Sequence, residues 1–226
     1  MDDAFKTWDA AGETLESVEA RIHDGAPLDR LHDRARGYAR QVLKTAPWLS
    51  VKRGDTIVEV GPGVGYIMQA VAEQCGVAVI TGLDVAAGMI AHAQARLRRD
   101  NLSPEQFQFK QYDGVHFPWP DGAVDLFYSV AAIQHIPKPF AYNVLLEMHR
   151  CLRPRGTAVV HLLGWEYVAR GHDFAAEIHR QLTGAHTHWH HFYDRTELET
   201  IVRYALKASR HNLEPDQGSL WLAWQK

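Results

Sequence analysis

The chain has 226 residues, 46% hydrophobic and 23% charged, with a formal net charge of -3 and a pI near 6.5. Those values suit one large domain or a core with an appended subdomain, and they exclude global disorder and a basic surface that coats nucleic acid. With two cysteines, no apolar run of bilayer length and an acidic N-terminus without an apolar h-region, nothing signals a disulfide framework, a membrane span or secretion, and a cytoplasmic protein is expected.

Residues 1–50 offer helices and no strand. Phe5, Trp8 and Ala11, then Leu15, Val18 and Ile22, recur at helical spacing. Gly25-Ala26-Pro27 breaks the pattern, and a second helix is predicted over 28–43, closed by Ala46-Pro47-Trp48. This block is expected to act as an N-terminal helical cap (1–50) on the domain formed by 51–226. From Val51 the texture changes to strands at 56–60, 78–84, 107–112, 124–130 and 157–163. They alternate with helices at 64–75, stopped by Gly76, at 87–100 and at 139–152. Arg153-Pro154-Arg155-Gly156 is expected to turn the chain into the fifth strand, an apolar run interrupted only by His161. A helix at 196–208 precedes a last strand at 219–224. Such alternation implies an α/β fold, a doubly wound, mostly parallel sheet with right-handed crossovers and ligands at the strands' carboxyl ends.

The strand ends carry the informative residues. The first leads into Glu59-Val60-Gly61-Pro62-Gly63-Val64-Gly65. Glycines lack a Cβ, so the backbone can turn tightly and lie against a ligand, while Pro62 stiffens the turn. Tyr66 stands where the dinucleotide fingerprint needs its last glycine, and the Gly-Lys-Ser/Thr of a P-loop is absent. Asp84 ends the second strand, where a carboxylate accepts from both hydroxyls of a ribose; capping the next helix is the alternative, and the spacing from the glycine turn favours the ribose. Asp113, in Tyr112-Asp113-Gly114, stands where an adenine amino group can be recognised, or simply in a turn.

Taken in order with Asp125-Leu126-Phe127-Tyr128-Ser129 and Leu152-Arg153-Pro154-Arg155-Gly156-Thr157, these segments resemble the class I S-adenosylmethionine-dependent methyltransferases. The resemblance covers about residues 51–165 well and the rest loosely. Where that family often has Lys-Pro-Gly-Gly, this chain has Arg153-Pro154-Arg155-Gly156. The resemblance implies a Rossmann-like, seven-stranded sheet whose last strand is antiparallel, with S-adenosylmethionine as cofactor and S-adenosylhomocysteine as product. Carried over by position, Gly61, Pro62, Gly63 and Gly65 face the methionine part, with Glu59 nearby. Asp84 grips the ribose, Val85 and Met89 flank the adenine, Asp113 and Gly114 meet its edge, and Ser129 and Val130 lie beneath the sulfonium.

In small-molecule members of that family the segment after strand four borders the acceptor. His135, with an imidazole that takes a proton near neutral pH, is the candidate catalytic base; a helix-capping or supporting role is the alternative. His186, His188, His190 and His191 fall within six residues. In an extended chain the first three share a face with metal-ligand spacing. Asp194 is the only acid close by, so a polar pocket lining and no metal is expected. Trp8, Gln134, His190 and His191 are expected around the acceptor. The implied reaction is methylation of a small molecule, at a sugar or secondary-metabolite hydroxyl, and nitrogen or carbon acceptors fit the same core. An RNA or protein acceptor runs against the acidic balance and the lack of an Asn/Asp-Pro-Pro-Tyr tetrapeptide. A non-catalytic S-adenosylmethionine-binding protein runs against the intact glycine turn with Asp84. The expected partner is a small-molecule acceptor, with no nucleic acid and no membrane, and a homodimer left open.

Overall fold

The computed structural model describes residues 8–23, 27–76, 79–171, 173–183 and 190–226. Seven strands give the sheet its path: β1 (Ile57–Val60), β2 (Ile80–Asp84), β3 (Phe107–Gln111), β4 (Val124–Ser129), β5 (Leu152–Gly164), β7 (Arg210–Asp216) and β8 (Ser219–Gln225). They lie in the order β3-β2-β1-β4-β5-β8-β7, and a short β6 (Phe192–Tyr193) pairs with β5 off this path. β8 alone runs antiparallel, against both β5 and β7. The strand order reverses outward from β1 and β4, the place where a doubly wound sheet opens its binding crevice. All four residues of β1 are buried, as expected of a central strand covered on both faces.

Three differences from the sequence expectation stand out. β7 went unpredicted because it is polar, Arg-His-Asn-Leu-Glu-Pro-Asp; an edge strand keeps one side open and tolerates Pro215. β5 begins earlier, at Leu152. The expected turn at 153–156 survives as a bulge inside the strand, because Val124 faces Leu152 while Leu126 already faces Thr157. Arg155 sits at φ +67 in that bulge. The last helix, α8 (Arg195–Thr200), widens into a π-turn over Ile201–Ala205 rather than continuing as α-helix.

Of the N-terminal block, Trp8 lies in a turn and Phe5 outside the described residues. α1 (Leu15–Ile22) starts at Thr14, whose hydroxyl accepts from the Ser17 amide, and α2 (Leu28–Thr45) follows. Val18, Leu31, Ala35, Ala39 and Val42 from these helices join the same buried core as the sheet. The remaining helices are α3 (Tyr66–Cys75), α4 (Ala87–Arg99), α5 (Lys138–Cys151), α6 (Glu166–Ala169) and α7 (Phe174–Leu182). Gly65 and Gly76 bracket α3, both left-handed, as the stop at Gly76 predicts. Among the described residues no helix is long and apolar enough to cross a membrane.

Candidate active site

The turn between β1 and α3 requires its glycines. Gly61, Gly63 and Gly65 have φ of +69, +52 and +87. A Cβ on Gly61 would lie 2.4 Å from the Ala132 Cβ in the loop after β4. The two loops therefore meet only because residue 61 has no side chain. In that second loop Ala131 sits at φ +55, a left-handed alanine that costs roughly 1–2 kcal/mol. Backbone strain of this kind persists where the surroundings impose it, commonly at binding loops.

Beside the turn opens a cavity of about 470 Å³, large enough for a drug-sized ligand. Of the residues expected at the cofactor, Glu59, Gly61, Pro62, Gly63, Asp84, Val85, Met89 and Val130 line it. Gly65, Asp113, Gly114 and Ser129 do not. Gly65 is the N-cap of α3. The Ser129 hydroxyl donates 2.8 Å to the Val60 carbonyl, tying the ends of β1 and β4 together. Asp113 is exposed, and its carboxylate accepts from the Val115 and His116 amides and the His116 ring. Those bonds close a turn and hold its carboxyl low, at about 2.

Two carboxyls in the cavity are perturbed by burial. Glu59, 1% exposed, has neither oxygen hydrogen-bonded, and desolvation pushes its carboxyl well above the usual range, opposed by the nearby Tyr128 hydroxyl and Met68 amide. A buried carboxyl lacking a partner is the mark of a site built to receive one. Asp84, half-buried at the end of β2, accepts from the Ala86 amide at 3.0 Å, and burial raises its carboxyl to about 6.

On the other side of the cavity, residues from three distant segments meet. The Trp8 and His135 rings lie 5.0 Å apart and those of His135 and His190 4.7 Å, so positions 8, 135 and 190 form one column. β6 explains this closure: it joins β5 beyond the end of β4, and the His191 amide donates 2.7 Å to the Gln134 carbonyl. Gln134 lines the cavity; His191 is half-buried outside it. Burial pushes the His191 imidazole down. His186 and His188 lie outside the described residues, and among the described residues no group of three metal-ligating side chains occurs.

Sequence reasoning missed Arg21, Arg34, Tyr38 and His161, which also line the cavity. A signal existed for the last three. Leu31, Arg34, Ala35 and Tyr38 repeat at i, i+3, i+4, i+7 and so form one face of α2, while His161 is the single polar residue in the apolar stretch of β5.

The sequence pattern of the family described as "Methyltransferase domain" matches residues 57–156. Demethylmenaquinone methyltransferase of Lactobacillus johnsonii is 30% identical over 171 residues, 70% of this chain and 67% of that protein. Phosphoethanolamine N-methyltransferase 2 of Caenorhabditis elegans is 28% identical over 54% of this chain, which spans only 27% of that protein. Among solved structures, magnesium protoporphyrin IX methyltransferase from Synechocystis PCC 6803 with bound SAH covers 100% of both chains at a TM-score of 0.67 and 14% identity, a likeness of fold. The chain belongs to the S-adenosylmethionine-dependent methyltransferases. S-adenosylmethionine is the methyl donor of that family and S-adenosylhomocysteine its product.

Proposed function

We propose that this enzyme transfers a methyl group from S-adenosylmethionine to the hydroxyl of a small molecule, a sugar or secondary metabolite, with His135 as the base. The observation that carries it is the union in one cavity of the glycine turn, Asp84 and His135. When bound, S-adenosylmethionine supplies a methyl already activated on a cationic sulfur. The chain's residues have the remaining tasks. Glu59, buried without a partner, offers its carboxyl to the donor's ammonium, and Asp84 offers its own to the ribose diol, with Val85 and Met89 against the adenine. Gly61, Pro62 and Gly63 let the backbone lie along the methionine portion. Trp8, Gln134 and His190 orient the acceptor, which removes much of the entropic part of the barrier. The His135 imidazole accepts the hydroxyl proton as the new oxygen–carbon bond forms. The relatives' names span a quinone precursor and an amine, so the hydroxyl assignment rests on His135 rather than on kinship. The N-terminal block expected over 1–50 serves, through its described helices α1 and α2, as the cap over this cavity. The two cysteines, Cys75 and Cys151, are free thiols, which fits a cytoplasmic setting.

Calorimetric titration with S-adenosylhomocysteine tests the donor half: binding is expected, weakened about tenfold or more in Asp84→Ala by loss of a charge-assisted hydrogen bond. Absence of binding to the unsubstituted protein overturns it. The acceptor half is tested by incubating labelled S-adenosylmethionine with a panel of hydroxyl compounds and their amine counterparts; methyl transfer only to nitrogen overturns the hydroxyl assignment.

A further inference from the structure

Charge is unevenly divided around the cavity. Its only acidic lining residues among those described are Glu59 and Asp84, both beside the glycine turn. The wall built by α1, α2 and β5 has no carboxylate among its described lining residues and presents Arg21, Arg34 and His161. The two arginines differ. Arg21 is paired with Glu13 at 3.0 Å, so its charge is already met. Arg34 stacks 5.8 Å over the Tyr38 ring, and among the described residues it has no acidic partner. Arg34 is also close enough to His161 to disfavour a second positive charge there. His161 is 5% exposed, and its Nδ1 is buried without any hydrogen-bond partner. A buried unsatisfied ring nitrogen is a cost the fold normally avoids, and here that atom belongs to a cavity-lining side chain beside an unneutralised guanidinium. The Tyr38 ring contacts both, 5.6 Å from His161 and under Arg34.

Resting on the assignment of this cavity to donor and acceptor, we propose that the methyl acceptor carries an anionic oxygen group, a carboxylate or a phosphate, which Arg34 pairs and the His161 ring hydrogen-bonds. A guanidinium offers two parallel donors to such a group, and the neutral imidazole supplies a third from Nδ1 without adding charge. Tyr38 supplies an apolar face for the body of the acceptor. Amine acceptors are disfavoured by the same wall, because a second cation would face Arg34 with no carboxylate to offset it.

The test uses protein loaded with S-adenosylhomocysteine and a matched probe set: 4-hydroxybenzoate against 4-hydroxybenzamide, and phenyl phosphate against benzyl alcohol. Calorimetry is expected to give tighter binding of at least one anion than its neutral counterpart by about tenfold or more, weakened by added salt. Which anion wins separates carboxylate from phosphate. In Arg34→Met, which keeps an apolar stem on an exposed helix position, the preference is expected to vanish, while Arg34→Lys retains part of it. Equal binding of anions and neutral probes, failure of the whole set to bind, or a preference that survives Arg34→Met overturns the proposal. So does loss of S-adenosylhomocysteine affinity in Arg34→Met, which would place Arg34 at the donor. Failure of the unsubstituted protein to bind S-adenosylhomocysteine is a different result and removes the donor reading itself.

Discussion

Glu19 of α1 and Arg99 of α4, 80 positions apart, form a two-pronged ion pair at 2.7 and 2.9 Å. The Tyr66 hydroxyl, at the start of α3, donates to the same Glu19 carboxylate at 2.8 Å. One carboxylate thus binds the N-terminal segment to the first two helices of the Rossmann-like core. Glu19 is 4% exposed, so its interaction is weakly screened, unlike the exposed Arg36–Asp33 pair on α2, a type worth about 0–1 kcal/mol.

Removing Arg99 strands a buried charge. Arg99→Met is expected to lower stability by about 2–4 kcal/mol, below the fully buried limit because Arg99 is partly exposed. Tyr66→Phe, losing the bond it donates to Glu19 and the one it accepts from Arg99 at 3.1 Å, is expected to cost about 1–2 kcal/mol. The double variant Glu19→Gln/Arg99→Met should recover part of the loss in urea unfolding. A change within about 0.5 kcal/mol for Arg99→Met, the usual range for a surface substitution, contradicts the lock.

Gly88 separates helix propensity from site geometry. Its amide donates 2.9 Å to the Asp9 carboxylate, which holds the strap carrying Trp8. A Cβ there would meet that oxygen at 2.4 Å and the Ala11 nitrogen at 2.8 Å. Alanine in a helix gains up to about 1 kcal/mol over glycine, so Gly88→Ala is expected to leave the melting temperature near that of the parent. It should displace the strap and reduce acceptor turnover about tenfold or more, through lost positioning. Full turnover in this variant would show that the strap does not shape the site.

Two perturbed groups give opposing pH slopes. Asp84 is raised from 3.8 to about 6; the folded chain holds this proton more tightly, so the group's contribution to stability falls as pH rises from about 4 to 6. His161 is lowered from 6.5 to about 4 by burial and Arg34; the unfolded chain binds that proton better, so its contribution rises with pH from about 4 to 6.5. Melting curves should therefore rise more steeply with pH in Asp84→Asn than in the parent, and less steeply in His161→Gln. Parallel profiles for all three proteins would refute both shifts. Affinity for S-adenosylhomocysteine should increase as Asp84 ionises through about pH 6, and Asp84→Asn should flatten that dependence.

If His135 is the base proposed above, His135→Ala is expected to keep S-adenosylhomocysteine affinity within about twofold while turnover falls by about 10²–10⁴. Unchanged turnover would remove His135 as the base and leave the column of Trp8, His135 and His190 a packing feature.

The central sheet was legible because each signal was local. Gly61, Gly63 and Gly65 fall between an apolar run and an amphipathic one, and Asp84 closes the next apolar run, so their neighbours in sequence announce them. β7 was illegible for the opposite reason. Its partner is β8, among the described residues no strand pairs its other edge, and a polar, Pro-containing segment becomes a strand there only because β8 already presents a ladder. The bulge at Arg155 likewise depends on a distant segment, Lys226 just past the end of β8, since the Arg155 amide donates to the Lys226 carbonyl and the Lys226 amide to the Gly156 carbonyl.

The sequence alone determined the family, the methyl donor and the strand ends at Gly61 and Asp84 that line the cavity, because spacing along a strand or helix dictates which side chains share a face. Only the tertiary structure decided what lines the side of the cavity away from the glycine turn. It joined Trp8 to His135 and His190, set Arg34 beside His161, and turned Asp113 and Ser129 to bonds outside the cavity. Apart from the Asp113 turn, which closes on Val115 and His116, those contacts join segments separated by more than 50 residues, and no local periodicity encodes them.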